Sequence, residues 1–409
     1  MTDAVADAVA AAHRSEWSRI VATLIRITRD WSLAEDSTSE AFESAIVSWR
    51  RDGVPRNPGA WLTTVAKNRA LDRLRRSATL VRKLEMEAVM QELDQLEPEG
   101  HEIPDDRLRL IFTCCHPALP PEARIALTLR TVGGLTTSQI ARAFLVPESA
   151  IAQRIVRAKR KITDSAIPYR VPDGAQLQER LAGVLAVLYL AFSTGYSAAA
   201  DDGLAEEAIR LTRSLVALMA DEPEAAGLLA LMLFQHSRRK ARRDETDGLV
   251  TIEEQDRTAW DADFIAEGRQ WLAAAARRER PGAYQIQAAI AAVHATAPSA
   301  SATDWASIVQ LYDRLLDVSP TYVIEFNRAI AVGMARGAEA GLSALDRVEG
   351  DVGHLRPAAR ADLLSRAGRT VEAATEYRAA IAGAPSESER QALARRLATI
   401  VRSNAERGR

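Results

Sequence analysis

Two arginine-rich stretches are the residues of this chain best suited to bind a polyanion. The first runs from Lys67 to Arg76, and the second runs from Arg154 to Lys161. The whole chain of 409 residues has a formal net charge of −2, so these cations are concentrated locally. Guanidinium and ammonium groups pair with phosphates, and arginine also donates hydrogen bonds to base edges. The two stretches therefore predict contact with nucleic acid.

The second stretch closes a pattern that is typical of a helix-turn-helix. A helix is expected over 121–129, Gly133-Gly134 marks a turn, Thr136 or Thr137 caps a short helix, and a longer helix begins at Ser149. The residues of that longer helix expected to face inward are Ile151, Ile155, Ala158 and Ile162. The residues expected to contact DNA are Ser149, Ala150, Gln153, Arg154, Arg157, Lys159, Arg160 and Lys161. A second helix of this kind reads base edges in the major groove.

Three helices are predicted before the end of the first basic stretch. The first helix ends near Asp30, and the second begins at Ser32, with Glu35 three residues later as in a capping box. A third helix starts at about Pro58, passes Trp61 and runs into the basic residues. Trp61 lies on the apolar stripe, so core packing is favoured over stacking on a base.

The bulk composition predicts an all-α protein. Hydrophobic residues make up 47% of the chain and aromatic residues only 5%, which favours helix over sheet. The start of the chain lacks an export-signal pattern, and the longest apolar run, Leu181 to Phe192, is shorter than the roughly 20 residues that cross a bilayer. Cys114 and Cys115 are adjacent and form a poor structural disulfide. We expect a cytoplasmic protein without membrane contact.

Composition also divides the chain. An acidic stretch interrupted by Pro98, Gly100 and Pro104 is interpreted as a linker over 80–104. The flanking compact units are expected at 1–79 and 105–166, and helical sequence rich in alanine and leucine fills 175–409.

The two compact units resemble an extracytoplasmic-function sigma factor, the promoter-recognition subunit of bacterial RNA polymerase. Ala34-Glu35-Asp36 with Glu40-Ala-Phe42, and then Asn57-Pro-Gly-Ala-Trp61, are similar to the second region of that family. Gly134-Leu-Thr-Thr with Val146-Pro147 is similar to its fourth region. The chain departs from the family pattern at Ser37-Thr38-Ser39, where the family commonly has an apolar residue and a glutamine.

The resemblance implies a role for each unit. Region 2 would occupy 1–79 and region 4 would occupy 105–166, and both would bind core polymerase, at the β′ clamp helices and the β flap. Residues implied to bind polymerase are Asp36, Glu40 and Phe42. Residues implied to contact the downstream promoter element are Asn68, Arg69, Arg73, Arg75 and Arg76. The polymerase supplies the chemistry, so no catalytic residue, cofactor or metal is expected.

The remaining helical sequence resembles the sigma-factor subgroup with a fused tetratricopeptide-like domain. The best repeat spans 354–387, with small residues where two helices cross, in a pattern of about 34 residues. Weaker repeats are expected around Trp305 to Pro320 and Tyr322 to Val348. The resemblance implies a domain that regulates activity or binds an unknown protein partner.

Two other groups of residues have side chains of the types found in functional sites. Cys114-Cys115-His116 offers three metal-binding side chains but no distant fourth, so buried apolar thiols are favoured over a metal site or a redox sensor. The basic run His236 to Arg243 has no helix-turn-helix around it and is interpreted as a solvated helix end. The alternative function is a helix-turn-helix transcriptional regulator with a helical-repeat tail that never joins polymerase.

Overall fold

The chain is helical in two compact units, Met1–Leu218 and Met219–Arg409. The computed structural model describes residues 4–77, 89, 91–93, 104–144, 146–197, 203–243 and 248–407. No strand occurs among these residues, which contain a single isolated bridge between Arg243 and Leu249. The all-α prediction is confirmed. Within the described ranges, no helix is both long enough and apolar enough to cross a membrane.

The first unit begins with three long helices, α1 (Ala4–Thr28), α2 (Trp31–Asp52) and α3 (Pro58–Ser77). Their common core contains Trp17, Leu24, Phe42, Trp49 and Leu62. The predicted cap of α2 at Ser32 is wrong. The Asp30 carboxylate accepts a hydrogen bond from the Leu33 backbone N–H, so α2 begins one residue earlier.

Four shorter helices form the helix-turn-helix part of the first unit. They are α4 (Pro104–Cys114), α5 (Pro121–Leu127), α6 (Thr137–Ala143) and α7 (Glu148–Asp164), and one π-helical turn, Thr128–Val132, extends α5. Of the two predicted caps, Thr136 or Thr137, the structure uses Thr136, which caps α6 in a reciprocal capping box with Gln139. The inward face predicted for α7 is confirmed, since Ile151, Ile155, Ala158 and Ile162 are buried.

Two further helices complete the first unit, α8 (Gly174–Ser197) and α9 (Leu204–Leu218). Helix α8 packs against α4 and α5, and Arg180 Nη2 donates to the Phe112 carbonyl at 2.6 Å. Arg210 Nη1 of α9 donates to the Arg14 carbonyl of α1 at 2.5 Å. The first compact unit therefore continues beyond residue 175, where the sequence suggested a boundary. Most of the predicted acidic linker, 80–104, lies outside the described residues.

The second unit is a succession of helices in which each helix packs against the next one along the chain. They are α10 (Pro223–Ser237), α11 (Ala262–Ala276), α12 (Ala283–Thr296), α13 (Trp305–Val318), α14 (Tyr322–Arg336), α15 (Ala338–Leu345), α16 (Leu355–Arg366), α17 (Thr370–Gly383) and α18 (Glu387–Arg407). The pair α16 and α17 coincides with the predicted repeat 354–387. Gly368, at φ +77°, makes the turn between them, and Ala361, Ala373 and Tyr377 are buried where they pack.

Candidate nucleic-acid interface

The first basic stretch lies on α3 beside the acidic residues of α2. Arg73 Nη1 is 2.9 Å from Asp36 Oδ2, and Arg73 Nη2 also contacts Glu40 Oε1. Arg69 Nε is 3.6 Å from Glu40 Oε2. Hydrogen bonds to Asp36 and Glu40 raise the pKa of Arg73. Residues implied to bind polymerase and residues implied to bind DNA are therefore neighbours, and they neutralise one another in this structure.

An open groove of about 740 Å³ separates α2 from α3. Its lining residues include Glu40, Ser44, Val47, Arg69, Asp72 and Arg76. Asn68, Arg75 and Arg76 are exposed, so their side chains are available to an extended strand or to phosphates. This surface mixes both charge signs, in keeping with contacts to a protein and to DNA.

Two aromatic residues discussed from the sequence lie inward. Phe42 is buried and packs against His13 and Trp17, so its main contact is with α1, and little of its ring is exposed. Trp61 packs edge-on against the buried ring of Trp49, with ring centroids 5.7 Å apart. This contact supports the core-packing interpretation of Trp61.

The second basic stretch presents most of its predicted contact residues to solvent. Ser149, Gln153, Arg157, Arg160 and Lys161 are exposed on α7. Arg157 Nη2 donates to Gln153 Oε1 at 3.0 Å, which aligns these two side chains along one face. Ala150 and Arg154 are partly exposed beside them. The exposed face matches the one that the sequence assigned to DNA.

Lys159 faces away from this surface, towards a buried carboxylate of α2. Its Nζ lies 3.0 Å from Glu35 Oε2, and Arg130 Nε lies 3.5 Å from the same oxygen. Thr131 Oγ1 donates to Glu35 Oε1 at 2.8 Å. We refer to Glu35, Arg130, Thr131 and Lys159 as the Glu35 cluster.

Sequence reasoning did not find the Glu35 cluster, because Glu35 was interpreted as half of a capping box. A signal was present in the spacing: Glu35 shares a face of α2 with Thr38 and Phe42, three and seven residues on, and both are buried. A carboxylate on an apolar face requires a partner from another element.

His13 lies beside this cluster and gives the first unit a pH dependence. Burial, and then the cations Arg210, Arg130 and Arg14, lower the pKa of His13 to about 4. The folded unit thus prefers the neutral ring. Its contribution to stability is fully present above pH 6.5, the ordinary value, and is lost as the pH falls towards 4. The loss amounts to at most about 3 kcal/mol.

We expect His13→Phe to reduce this pH dependence, because phenylalanine retains the stacking on Trp17 and Phe42 but cannot take up a proton. Hydrogen exchange of α1, corrected for intrinsic rates, measures the effect between pH 7 and pH 4. His294 of the second unit also has a pKa lowered to about 4, so α12 serves as an internal reference that His13→Phe leaves unchanged. Equal pH dependence of α1 in both proteins would contradict this role of His13.

The adjacent thiols are buried, as the sequence predicted. Burial raises the pKa of Cys115 to about 11 and that of Cys114 well above its ordinary value. Both are therefore protonated near neutral pH and are poor nucleophiles. Within the described ranges, no three metal-binding side chains come together.

Family models match three parts of the chain. Residues 13–79 match sigma-70 region 2, and residues 109–162 match sigma-70 region 4. Residues 180–276 match a family of unknown function, DUF6596. The two sigma matches coincide with α1–α3 and α4–α7, in the order that the sequence motifs indicated.

Similar proteins cover the chain to different extents. The uncharacterized protein R00370 of Rhizobium meliloti is 43% identical over 381 residues, which is 90% of this chain and 89% of that protein. The probable ECF RNA polymerase sigma factor SigI of Mycobacterium tuberculosis is 28% identical over 39% of this chain and 56% of its own length. The ECF RNA polymerase sigma factor SigE of Mycolicibacterium smegmatis is 27% identical over 37% of this chain and 58% of its length. The chain thus spans little more than half of these two sigma factors. No solved structure matches it.

Proposed function

The chain belongs to the same family as the Rhizobium meliloti protein and carries sigma-70 regions 2 and 4, and we propose that it is an extracytoplasmic-function sigma factor. In this role it binds core RNA polymerase and directs promoter recognition and transcription initiation. The observation that carries the proposal is the presence of both regions, in order, on one chain. A regulator that binds duplex DNA by itself needs only the helix-turn-helix.

Each region has a separate task in this proposal. Asp36 and Glu40 of α2 face the β′ clamp helices of polymerase, and the basic residues of α3 hold the downstream promoter element as it opens. Helix α7 enters the major groove of the upstream element. Support comes from the exposure of these side chains, since Asp36, Arg69, Gln153 and Arg157 all lie at the surface.

We propose that the second unit is a tetratricopeptide-like domain that regulates the sigma regions or binds a protein partner. The helical hairpin of α16 and α17, with small residues at the crossing, supports this assignment. Repeats of this kind stack into extended surfaces that bind other proteins.

Substitutions on α7 should separate base reading from phosphate contact. We expect Gln153→Ala with Arg154→Ala to reduce transcription about 10- to 100-fold on promoters that depend on the upstream bases read by these side chains. Lys161→Ala should weaken binding to all sequences alike. The slope of log affinity against log salt concentration should become shallower by about one, as expected for the loss of one phosphate contact. Transcription by reconstituted polymerase on a set of upstream-element variants measures both effects.

Glu148→Gln on the same helix is the matched control, since it alters a side chain outside the predicted contact set. An equal loss on every promoter for Gln153→Ala with Arg154→Ala would contradict base reading. Sequence-specific binding of the chain alone to these DNA fragments, together with no transcription by reconstituted polymerase, would favour the helix-turn-helix regulator.

A further inference from the structure

Regions 2 and 4 contact each other directly within the first unit. Trp17 Nε1 of α1 donates to the Thr131 carbonyl of region 4 at 3.0 Å. Gly134 has a φ of +74°, and a Cβ there would lie 2.6 Å from His13 Cε1. The backbone of region 4 at Gly134 therefore packs directly against the His13 ring of α1. Tyr169, in the segment that follows region 4, adds a hydrogen bond from its hydroxyl to the Ala22 carbonyl of α1 at 3.0 Å. These contacts form a packed interface between the two regions.

The Glu35 cluster is one charged part of this interface, and the ion pair between Arg26 of α1 and Asp106 of α4, at 2.9 Å, is another. Glu35 is 5% exposed, and its polar partners among the described residues all come from region 4. Among the described residues, both cations paired with Glu35, Arg130 and Lys159, belong to region 4 and neither belongs to α2. If the regions separate, the Glu35 carboxylate and the two cations all return to water.

This arrangement is poised between two states. The attraction within a buried ion pair is largely offset by the free energy of removing the charges from water, so a complete cluster adds little net stability. An incomplete cluster is much worse, because it leaves an uncompensated charge in the closed interface. The closed arrangement therefore depends on every member of the cluster, although the complete cluster itself adds little to its stability.

We propose that the Glu35 cluster is a latch that holds regions 2 and 4 closed in the free protein. The closed form keeps Lys159, a residue of the DNA-facing helix, on a carboxylate and away from phosphate. This inference rests on the proposed function, in which regions 2 and 4 contact different promoter elements and so have to move apart. Core polymerase, by engaging both regions, would open the latch.

Distance measurements on the full-length chain test the latch. Labels carried by non-natural amino acids at Arg56, in the turn after α2, and Asp164, at the end of α7, report the separation of the regions, and both positions are exposed. We expect wild type to give mainly one distance, that of the closed form. Glu35→Gln leaves Arg130 and Lys159 without their anion, and the open population should rise at least about tenfold. Lys159→Met should act in the same direction.

The exchanged pair Glu35→Lys with Lys159→Glu should recover most of the closed population, and Glu43→Gln, on the exposed side of α2, should leave it unchanged. Helical content measured by circular dichroism shows that each variant is folded. Unchanged distances in both Glu35→Gln and Lys159→Met, or an equal change in Glu43→Gln, would overturn the latch.

Addition of core polymerase separates this inference from the function on which it rests. We expect the distance between the two labels of the wild-type chain to increase when core polymerase is added. A chain that never binds core shows that the proposed function is wrong, whereas a chain that binds core with regions 2 and 4 still closed shows that the latch does not open as inferred.

Discussion

Truncation after Asp173 should prevent region 4 from folding, whereas truncation after Leu218 should leave a soluble, folded fragment. The reason is that α8 and α9 complete the core of region 4, since α8 packs against α4 and α5, and α9 packs against α4 and α8. The residues of α8 that are fully or nearly fully buried are Leu181, Val184, Leu185, Val187, Leu188, Ala191 and Phe192. Each large apolar side chain contributes about 1.5–3 kcal/mol when buried. The six large side chains together contribute about 9–18 kcal/mol, which is as large as the whole stability of a typical domain, about 5–15 kcal/mol.

Soluble yield, circular dichroism and cooperative unfolding of fragments 1–173 and 1–218 measure this effect. A monomeric 1–173 fragment as stable as 1–218 would contradict the account, because α8 would then be a separate tail. The 1–218 fragment also tests the proposed role of the second unit. Transcription identical to that of the full chain, under every condition and with every partner tested, would remove the case for a regulatory domain.

Reversing the charge of Asp36 and Glu40 together should abolish the association with core polymerase. In the wild-type chain Arg73 pairs with both carboxylates. Asp36→Lys with Glu40→Lys replaces them with two cations beside Arg69 and Arg73. A basic surface on the clamp helices would then meet repulsion in place of attraction, and we expect the affinity for core to fall on the order of 100-fold or more. Binding of labelled chain to purified core measures the change.

The matched control changes the net charge by the same amount at a distant place. Asp317→Lys with Glu349→Lys lies in the second unit, where both side chains are exposed. This control should bind core as tightly as wild type at moderate salt. Equal losses in the two double variants would show that net charge alone matters, and would contradict a specific role of α2.

The sequence predicted those features of a helix that depend on residues close to one another along the chain, such as its buried face. The apolar periodicity of α7 predicted its buried face, and of the two threonines predicted to cap α6, Thr136 is the one that does so. The cap of α2 is Asp30, two residues before the predicted Ser32, because the Asp30 carboxylate accepts the hydrogen bond from the Leu33 backbone N–H. These outcomes depend on neighbours within one or two turns.

The parts that the sequence did not indicate depend on contacts between distant segments. The Thr131 hydroxyl reaches Glu35 across 96 positions, and Arg210 reaches the Arg14 carbonyl across 196. Periodicity shows that a face is buried but does not show against what. For this reason Lys159 was assigned to DNA together with its neighbours, and α8 and α9 were grouped with the helical tail.

The most direct test of the central claim is promoter selection with purified components. The full chain is mixed with core polymerase and genomic fragments, and the transcripts are sequenced. A sigma factor predicts a discrete set of start sites that require both the chain and core, and that vanish with Asp36→Lys and Glu40→Lys. If the folded chain binds DNA but neither joins core at low salt nor directs transcription, the chain is a helix-turn-helix regulator and the account is wrong.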